Sequence, residues 1–208
     1  MLDSPYVRRV AISLEFLGVS FEHEAISVFS TFEKFQTINP VVKAPSLVCD
    51  DGEVLMDSSL ILQFIETTAA NGKSLWSPDP VVLQHEFRAV GLALAACEKS
   101  VQIVYERNLR PKAMQYQPWL ERVRGQLLAA YESLEHEVQS RQLAFAVARN
   151  QASITAAVAW QFTQSLLSDV VSASPHPGLV RLSARMERIP EFVKYPPVGP
   201  GVAANDKS

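Results

Sequence analysis

The sequence predicts a small α/β unit followed by an all-helical half, and three observations predict this division. Short helical and strand-like patterns alternate up to about residue 75, whereas the patterns after residue 80 are longer and helical throughout. Residues 73–80, which lie between them, contain Trp76 and two prolines and are typical of a linker. We therefore expect one domain over residues 1–75 and an all-α domain over residues 80–208, with an irregular tail from about residue 196.

The first two elements are a helix and a strand. Ser4 is a typical helix cap, and Pro5 occupies the first helical position, where a missing N–H costs nothing. Gly18 is placed to end this helix. Apolar residues repeat at helical spacing in between: Val7, Val10, Ala11, Leu14 and Leu17. Apolar and acidic residues then alternate over residues 21–25, which predicts a half-exposed strand.

A short helix, a hairpin and a third helix complete the first domain. Residues 31–38 are helical in pattern and end at Asn39-Pro40. Strand-like residues 46–49 and 54–56 flank an Asp-Asp-Gly sequence, which indicates a hairpin. The third helix begins at Asp57-Ser58-Ser59. We expect its buried face to contain Leu60, Ile61, Phe64 and Ile65.

The second half contains four predicted helices. Residues 81–109 form a long periodic stretch, and Arg110-Pro111 interrupts it. Another helix begins near Pro118, and residues 153–167 and 179–186 supply two more. One face of the helix after Pro118 is expected to contain Trp119, Val123, Leu127, Leu128, Tyr131 and Leu134.

The composition is that of a folded protein without a basic or cysteine-rich binding face. Of the 208 residues 48% are hydrophobic, which is sufficient for a packed core. The net charge of -3 gives no basic field, so we expect no nucleic-acid partner. The two cysteines and four histidines lack metal-ligand spacing, so we expect no metal. No apolar run approaches the length of about 18 residues that a membrane helix needs, so we expect a cytoplasmic protein without a membrane partner.

Three short motifs in a fixed order then connect the chain to a known family. They are Ser4-Pro5-Tyr6-Val7-Arg8-Arg9, Asn39-Pro40 with Lys43-Ala44-Pro45, and Asp57-Ser58. Followed by an all-helical half, this order resembles the soluble glutathione transferases, and the bacterial and serine-type members most. The resemblance extends from Ser4 to about Tyr195. It implies a thioredoxin-like N-terminal domain, an all-α C-terminal domain, a homodimer, and glutathione as a co-substrate with no cofactor.

The resemblance gives the catalytic role to Ser4, as the hydroxyl that donates to the glutathione sulfur. A free thiol has a pKa of about 8.5, and lowering it by about two units favours the thiolate by roughly 2.7 kcal/mol. A helix N-terminus contributes about 0.3–1 kcal/mol and a hydrogen bond to an anion about 1.5–3 kcal/mol, which together suffice. From spacing alone, a simple helix cap is the plainer interpretation of Ser4. Because the family uses cysteine here for thiol exchange, serine favours conjugation or peroxidase chemistry.

The other two motifs resemble the residues that hold glutathione. The family has a cis proline at the position of Pro45, which turns the backbone of Ala44 toward the cysteinyl residue of glutathione. Lys43 matches residues that reach the glycine carboxylate, and Asp57 and Ser58 match the pair that holds the γ-glutamyl ammonium and carboxylate. The residues alone also fit plainer interpretations: an ordinary trans proline, a solvated loop lysine, and a strand-to-helix cap.

The start of the chain departs from the family pattern. Relatives have a strand before the catalytic loop, and here only Met1-Leu2-Asp3 precede it. An interior strand cannot be left out without leaving backbone groups unpaired. We therefore expect these residues to be the end of that strand, with its earlier part either encoded upstream or replaced by residues outside this sequence.

The implied function is that of a detoxifying glutathione transferase acting on an apolar electrophile or a hydroperoxide. The alternative is a transferase fold used as a non-enzymatic binding or regulatory protein, as in the stringent-starvation type. The presence of Ser4, Lys43 and Ser58 is evidence against that alternative, because such proteins often lose glutathione ligands. A glutathione-dependent dehalogenase or isomerase is a third interpretation.

Overall fold

The computed structural model describes residues 1–141, 145 and 149–202, and the chain divides into two units. The first unit contains Met1–Leu75 together with Ile189–Pro200. The second contains Trp76–Arg188 and the last described residues, 201–202. Each unit has its own buried apolar residues.

The first unit places four helices around one hairpin. Its elements are α1 (Pro5–Leu17), α2 (Phe32–Ile38), β1 (Ser46–Val48), β2 (Val54–Met56), α3 (Ser58–Thr68) and, near the end of the chain, α8 (Pro190–Lys194). The two strands are antiparallel, with Ser46 opposite Met56. Gly18, with φ of 73°, ends α1, and Gly52, with φ of 88°, makes the hairpin turn. The predicted order of helices and the predicted hairpin are confirmed for these elements.

The predicted strand over residues 21–25 is wrong. Within the described residues, the sheet consists of β1 and β2 alone, and residues 19–27 form no strand. Met1-Leu2-Asp3, expected to end a strand, are not in the sheet either, and Leu2 and Asp3 form a turn. Alternation alone does not make a strand, because a strand also needs a neighbour for its backbone hydrogen bonds. Instead, the N–H of Ile26 donates locally to the carbonyl of Glu24 at 2.9 Å.

The buried face of α3 differs from the predicted face by one position. Ile61 and Ile65 are buried as expected, but Leu62 is buried in place of Leu60 and Phe64. Leu60 and Phe64 are 60% and 41% exposed. The inward positions 58, 61, 62 and 65 follow the helical period, and α3 packs this face on α1. The face that packs on α1 includes residue 58, which the hydrophobic pattern alone does not identify.

The segment Ile189–Pro200 packs in the first unit, although the sequence placed residues 80–208 in a second domain. The buried Arg8 side chain donates from Nε to the carbonyl of Tyr195 at 2.7 Å and lies 5.3 Å from the ring centre of Phe192. Tyr195 also stacks on Phe21, with ring centres 5.7 Å apart. These long-range contacts, which no local pattern signals, explain the difference.

The second unit is all-helical, as predicted. It contains α4 (Pro80–Leu109), a 3-10 turn (Lys112–Met114), α5 (Gln117–Ser140), α6 (Gln151–Leu167) and α7 (Pro177–Met186). The buried Tyr131 hydroxyl donates to the carbonyl of Ala159 and contacts Thr163 Oγ1 at 2.6 Å, which joins α5 to α6. Trp119, predicted to be on the buried face of α5, is exposed. In the part of the chain described, no helix has the length and apolarity needed to cross a membrane.

Candidate functional site

Ser4 precedes α1 and presents a hydroxyl that the helix does not use. Its backbone is extended, with φ of -75° and ψ of 124°, and its side chain makes no capping hydrogen bond. The carbonyl of Ser4 accepts the first intrahelical bond, from the N–H of Arg8 at 3.0 Å. A cap in the ordinary sense accepts an N–H of the first turn through its side-chain oxygen. Because that bond is not made, the half-buried Ser4 hydroxyl stands next to the positive end of the helix dipole without a capping role.

Asp57 precedes α3 and does act as a cap. Its Oδ1 accepts from the N–H groups of Ser59 at 2.9 Å and Leu60 at 3.4 Å, and its carbonyl accepts from that of Ile61. Its φ of 74° is rare outside glycine, so the surrounding contacts hold it in a strained conformation. The second carboxylate oxygen lies 3.8 Å from Lys43 Nζ, and both side chains are about half exposed. The structure therefore brings two of the predicted site residues, Lys43 and Asp57, into an ion pair.

Ser58 opens α3 and is almost fully buried, with 3% of its surface exposed. Its Oγ lies 3.1 Å from Arg9 Nη1 on α1, and the same nitrogen lies 3.1 Å from Ser59 Oγ. The N-terminal part of α1, which follows Ser4, is thus joined to the N-terminus of α3. From the sequence, Arg9 was only one member of the first motif and had no assigned role. The one local signal was a charged residue among the inward-facing positions of an amphipathic helix.

The loop between α2 and β1 carries Lys43, Ala44 and Pro45, and a buried asparagine organises it. Asn39 Nδ2 donates to Ser46 Oγ at 2.8 Å, and Asn39 Oδ1 accepts from a loop N–H, that of residue 41, at 3.0 Å. Ser46 Oγ donates in turn to the carbonyl of Lys43 at 2.7 Å. The Ala44–Pro45 peptide bond is cis. Asn39 is a second residue to which sequence reasoning gave no role beyond ending a helix.

An open cavity of about 1120 Å³ lies inside the first unit, beside these residues rather than among them. Apolar residues of α1, α2 and α3 line it together with the hairpin and the segment after α1, and acidic residues of that segment and of the hairpin turn also border it. Ala44 and Pro45 belong to its wall, but Ser4, Lys43, Asp57 and Ser58 do not. Of the predicted site residues, those at the N-termini of α1 and α3 and Lys43 thus lie outside this cavity, and only Ala44 and Pro45 border it.

The first unit matches a known family. Residues 1–73 match the family model described as the N-terminal domain of glutathione S-transferase. The chain is 31% identical over 77 residues to glutathione S-transferase U10 of Arabidopsis thaliana, which covers 37% of this chain and 33% of that protein. It is 28% identical over 132 residues to the uncharacterized GST-like protein YibF of Escherichia coli K12, covering 64% of each. The chain thus spans between a third and two thirds of the length of these relatives.

A solved structure is similar over nearly the whole chain. It is a glutathione transferase family member from Pseudomonas fluorescens Pf-5 with bound glutathione. The TM-score is 0.82 at 25% sequence identity, and the likeness covers 96% of this chain and 97% of that one. The predicted fold class, a thioredoxin-like N-terminal domain with an all-α C-terminal domain, is confirmed by this likeness.

Proposed function

We propose that the chain is a glutathione transferase in which Ser4 stabilises the glutathione thiolate, because residues 1–73 match the N-terminal domain model of that family and a glutathione-bound family member is similar over nearly the whole chain. The thiolate attacks an apolar electrophile or a hydroperoxide. The observation that carries the proposal is the Ser4 hydroxyl, which stands at a helix N-terminus and makes no capping bond. Such a hydroxyl is able to donate its hydrogen to an anion placed before the helix.

The energetics of this site match the chemistry required. Most of the glutathione thiol is protonated at neutral pH, because a free thiol has a pKa of about 8.5. One hydroxyl donor to the sulfur anion contributes about 1.5–3 kcal/mol, and the helix dipole up to about 2 kcal/mol. The Ser4 hydroxyl and the N-terminus of α1 supply these two effects, and Ser4 acts as neither base nor nucleophile.

The remaining site residues bind glutathione in this proposal. Lys43 pairs with the glycine carboxylate, the backbone of Ala44 beside the cis Pro45 pairs with the cysteinyl residue, and Asp57 and Ser58 hold the γ-glutamyl end. The Lys43–Asp57 pair supports the assignment, because its 3.8 Å separation and exposure make it weak enough to exchange for ligand charges. Glutathione is also the ligand of the similar Pseudomonas fluorescens protein.

The proposal includes a cytoplasmic homodimer. The exposed Leu60 and Phe64 of α3 support a second copy as partner, because large exposed apolar side chains that lie together favour an interface. Sedimentation of the purified protein tests this part separately from catalysis. A monomer at all concentrations would remove the dimer and leave the rest of the proposal standing.

Ligand-induced stabilisation tests the function itself. If glutathione binds with a dissociation constant of about 1 mM or tighter, a concentration of about 10 mM stabilises the fold by at least roughly 1.4 kcal/mol. S-methylglutathione is expected to act in the same way. Failure of both ligands to shift the melting temperature contradicts the proposal. Binding without turnover of any electrophile or hydroperoxide in a panel would instead favour the non-enzymatic alternative.

A further inference from the structure

Arg9 makes a contact that constrains the hydroxyl of Ser58. The arginine is 2% exposed, and its Nη1 lies 3.1 Å from Ser58 Oγ and 3.1 Å from Ser59 Oγ. A guanidinium group has only donors and stays protonated in proteins. Both serine oxygens must therefore accept from Arg9. The single hydrogen of the Ser58 hydroxyl is left to be donated in another direction.

The backbone of α3 leaves one N–H beside that hydroxyl. In the first turn, the N–H groups of Ser59 and Leu60 donate to Asp57 Oδ1, and that of Ile61 donates to the Asp57 carbonyl. Among the described residues, no acceptor is found for the N–H of Ser58. Two donors on one residue, N–H and O–H, thus remain at the N-terminus of α3. A pair of donors without an acceptor suits a carboxylate.

We infer that Arg9 is a positioning residue, which orients the Ser58 hydroxyl as a donor toward the γ-glutamyl carboxylate of glutathione. This inference rests on the proposed function. Arg9 does not contact glutathione itself and acts through Ser58. Without a donor at this place, the serine hydroxyl turns to a carbonyl or an N–H of its own helix, as serine side chains at helix starts commonly do. The carboxylate then loses one charge-assisted hydrogen bond.

Arg8 is the matched control for Arg9. It lies next to Arg9 on α1 and is equally buried, but its Nε donates to the carbonyl of Tyr195. Replacing either arginine removes a buried guanidinium from the same helix. A general weakening of α1 therefore affects both variants alike, whereas the proposed role affects only Arg9.

Glutathione binding measured by calorimetry tests the inference on four variants. We expect Arg9→Gln to raise the dissociation constant for glutathione about 10-fold, which corresponds to the loss of one hydrogen bond to a charged group. Arg9→Lys is expected to retain part of the affinity that Arg9→Gln loses. Arg8→Gln and Ser59→Ala are expected to bind as the unchanged protein does. Turnover at saturating glutathione is expected to stay constant in all four, because the γ-glutamyl end is remote from the reacting sulfur.

A double-mutant cycle and a truncated ligand make the test specific. In a Ser58→Ala background, Arg9→Gln is expected to have no further effect on binding. The peptide γ-aminobutyryl-cysteinyl-glycine, which lacks the carboxylate in question, is expected to bind the Arg9→Gln variant and the unchanged protein equally. Additive effects in the cycle, or equal losses in the Arg8 and Arg9 variants, overturn the inference while leaving the proposed function intact. Failure of the unchanged protein to bind glutathione overturns both.

Discussion

Two neighbouring arginines on α1 hold different parts of the first unit. Arg8 and Arg9 are 1% and 2% exposed, but successive residues of a helix point about 100° apart. Arg8 reaches the chain end, through the carbonyl of Tyr195 and the ring of Phe192. Arg9 reaches the N-terminus of α3. The same residue type in one helical turn therefore serves two regions, the C-terminal segment and the candidate glutathione site.

The group that each arginine contacts explains why the Arg8 and Arg9 contacts have different consequences. The carbonyl of Tyr195 accepts from Arg8 and has no hydrogen of its own to donate to a ligand. The hydroxyl of Ser58 is satisfied as an acceptor by Arg9 and still has a hydrogen to donate. Contacts of the first kind support stability alone, and contacts of the second kind prepare a binding group.

The largest expected effect is at Ser4, which precedes α1 and lies one turn before Arg8. We expect Ser4→Ala to lower turnover at neutral pH about 10²-fold, because one donor to the sulfur anion is lost. Glutathione affinity is expected to be nearly unchanged. The thiol then ionises closer to its free pKa of about 8.5, so the activity of the variant is expected to recover as the pH rises toward that value. Steady-state kinetics between neutral and alkaline pH measure both effects.

A cysteine variant provides the complementary test of Ser4. Ser4→Cys is expected to gain thiol-exchange activity with a mixed disulfide, since a thiol at a helix N-terminus is activated. Unchanged turnover in Ser4→Ala, with an unchanged pH profile, would leave Ser4 a structural residue. In that case α1 and the residue before it would contribute to stability and binding but not to catalysis.

The next effect concerns stability through Arg8. Arg8→Gln is expected to reduce the free energy of unfolding by about 1–3 kcal/mol, because the buried carbonyl of Tyr195 loses its donor. Urea unfolding followed by circular dichroism measures the change. Phe192→Leu, which removes the ring beneath the same guanidinium, is expected to reduce stability in the same direction. A stable Arg8→Gln protein with weakened glutathione binding would reverse the roles that we give to the two arginines.

A smaller effect on binding is expected at Asn39. Its amide holds the loop that carries Lys43, through Ser46 and the bond to the N–H of residue 41. Asn39→Ala is expected to raise the KM for glutathione about 5-fold, the equivalent of roughly 1 kcal/mol of lost loop ordering, with kcat retained. Thr37→Ala, in the neighbouring helix and exposed, is the control and is expected to change neither constant. An equal rise in both variants would show that Asn39 has no special part in ordering the loop.

Elements set by local chemistry were predictable from the sequence. Pro5 and Gly18 bound α1, Gly52 turns the hairpin and Asp57 caps α3, because each acts on residues only a few positions away. The site residues came from a resemblance and not from geometry. Their arrangement adds what the motifs do not contain, such as the absence of a capping bond at Ser4.

Features that depend on distant partners were not predictable. Ser58 faces inward and contacts Arg9, 49 residues earlier, and the buried Leu62 lies on the same face of α3, whereas Leu60 does not. The packing of the C-terminal segment follows from Arg8, 187 residues before Tyr195. Hydrophobic periodicity indicates which face of a helix is buried, but it does not identify the residues that pack against that face.

The smallest expected effect lies at the far end of the C-terminal contact, where Glu15 accepts from Lys194 at 2.7 Å and from the hydroxyl of Tyr195 at 2.9 Å. The hydrogen bond from Lys194 is the largest cause that holds the pKa of Glu15 below its ordinary value of 4.5, and the one from Tyr195 acts in the same direction. A lowered carboxyl pKa means stabilisation that is present above pH 4.5 and is lost as the pH falls below it. Because Lys194 is exposed, we expect Glu15→Gln to lower the free energy of unfolding by less than about 1 kcal/mol at neutral pH, and the difference to vanish in acid. Glu33→Gln, at an exposed position, is the control at both pH values. If the loss of stability in Glu15→Gln persists in acid, the charge of Glu15 has no part in holding the C-terminal segment to α1.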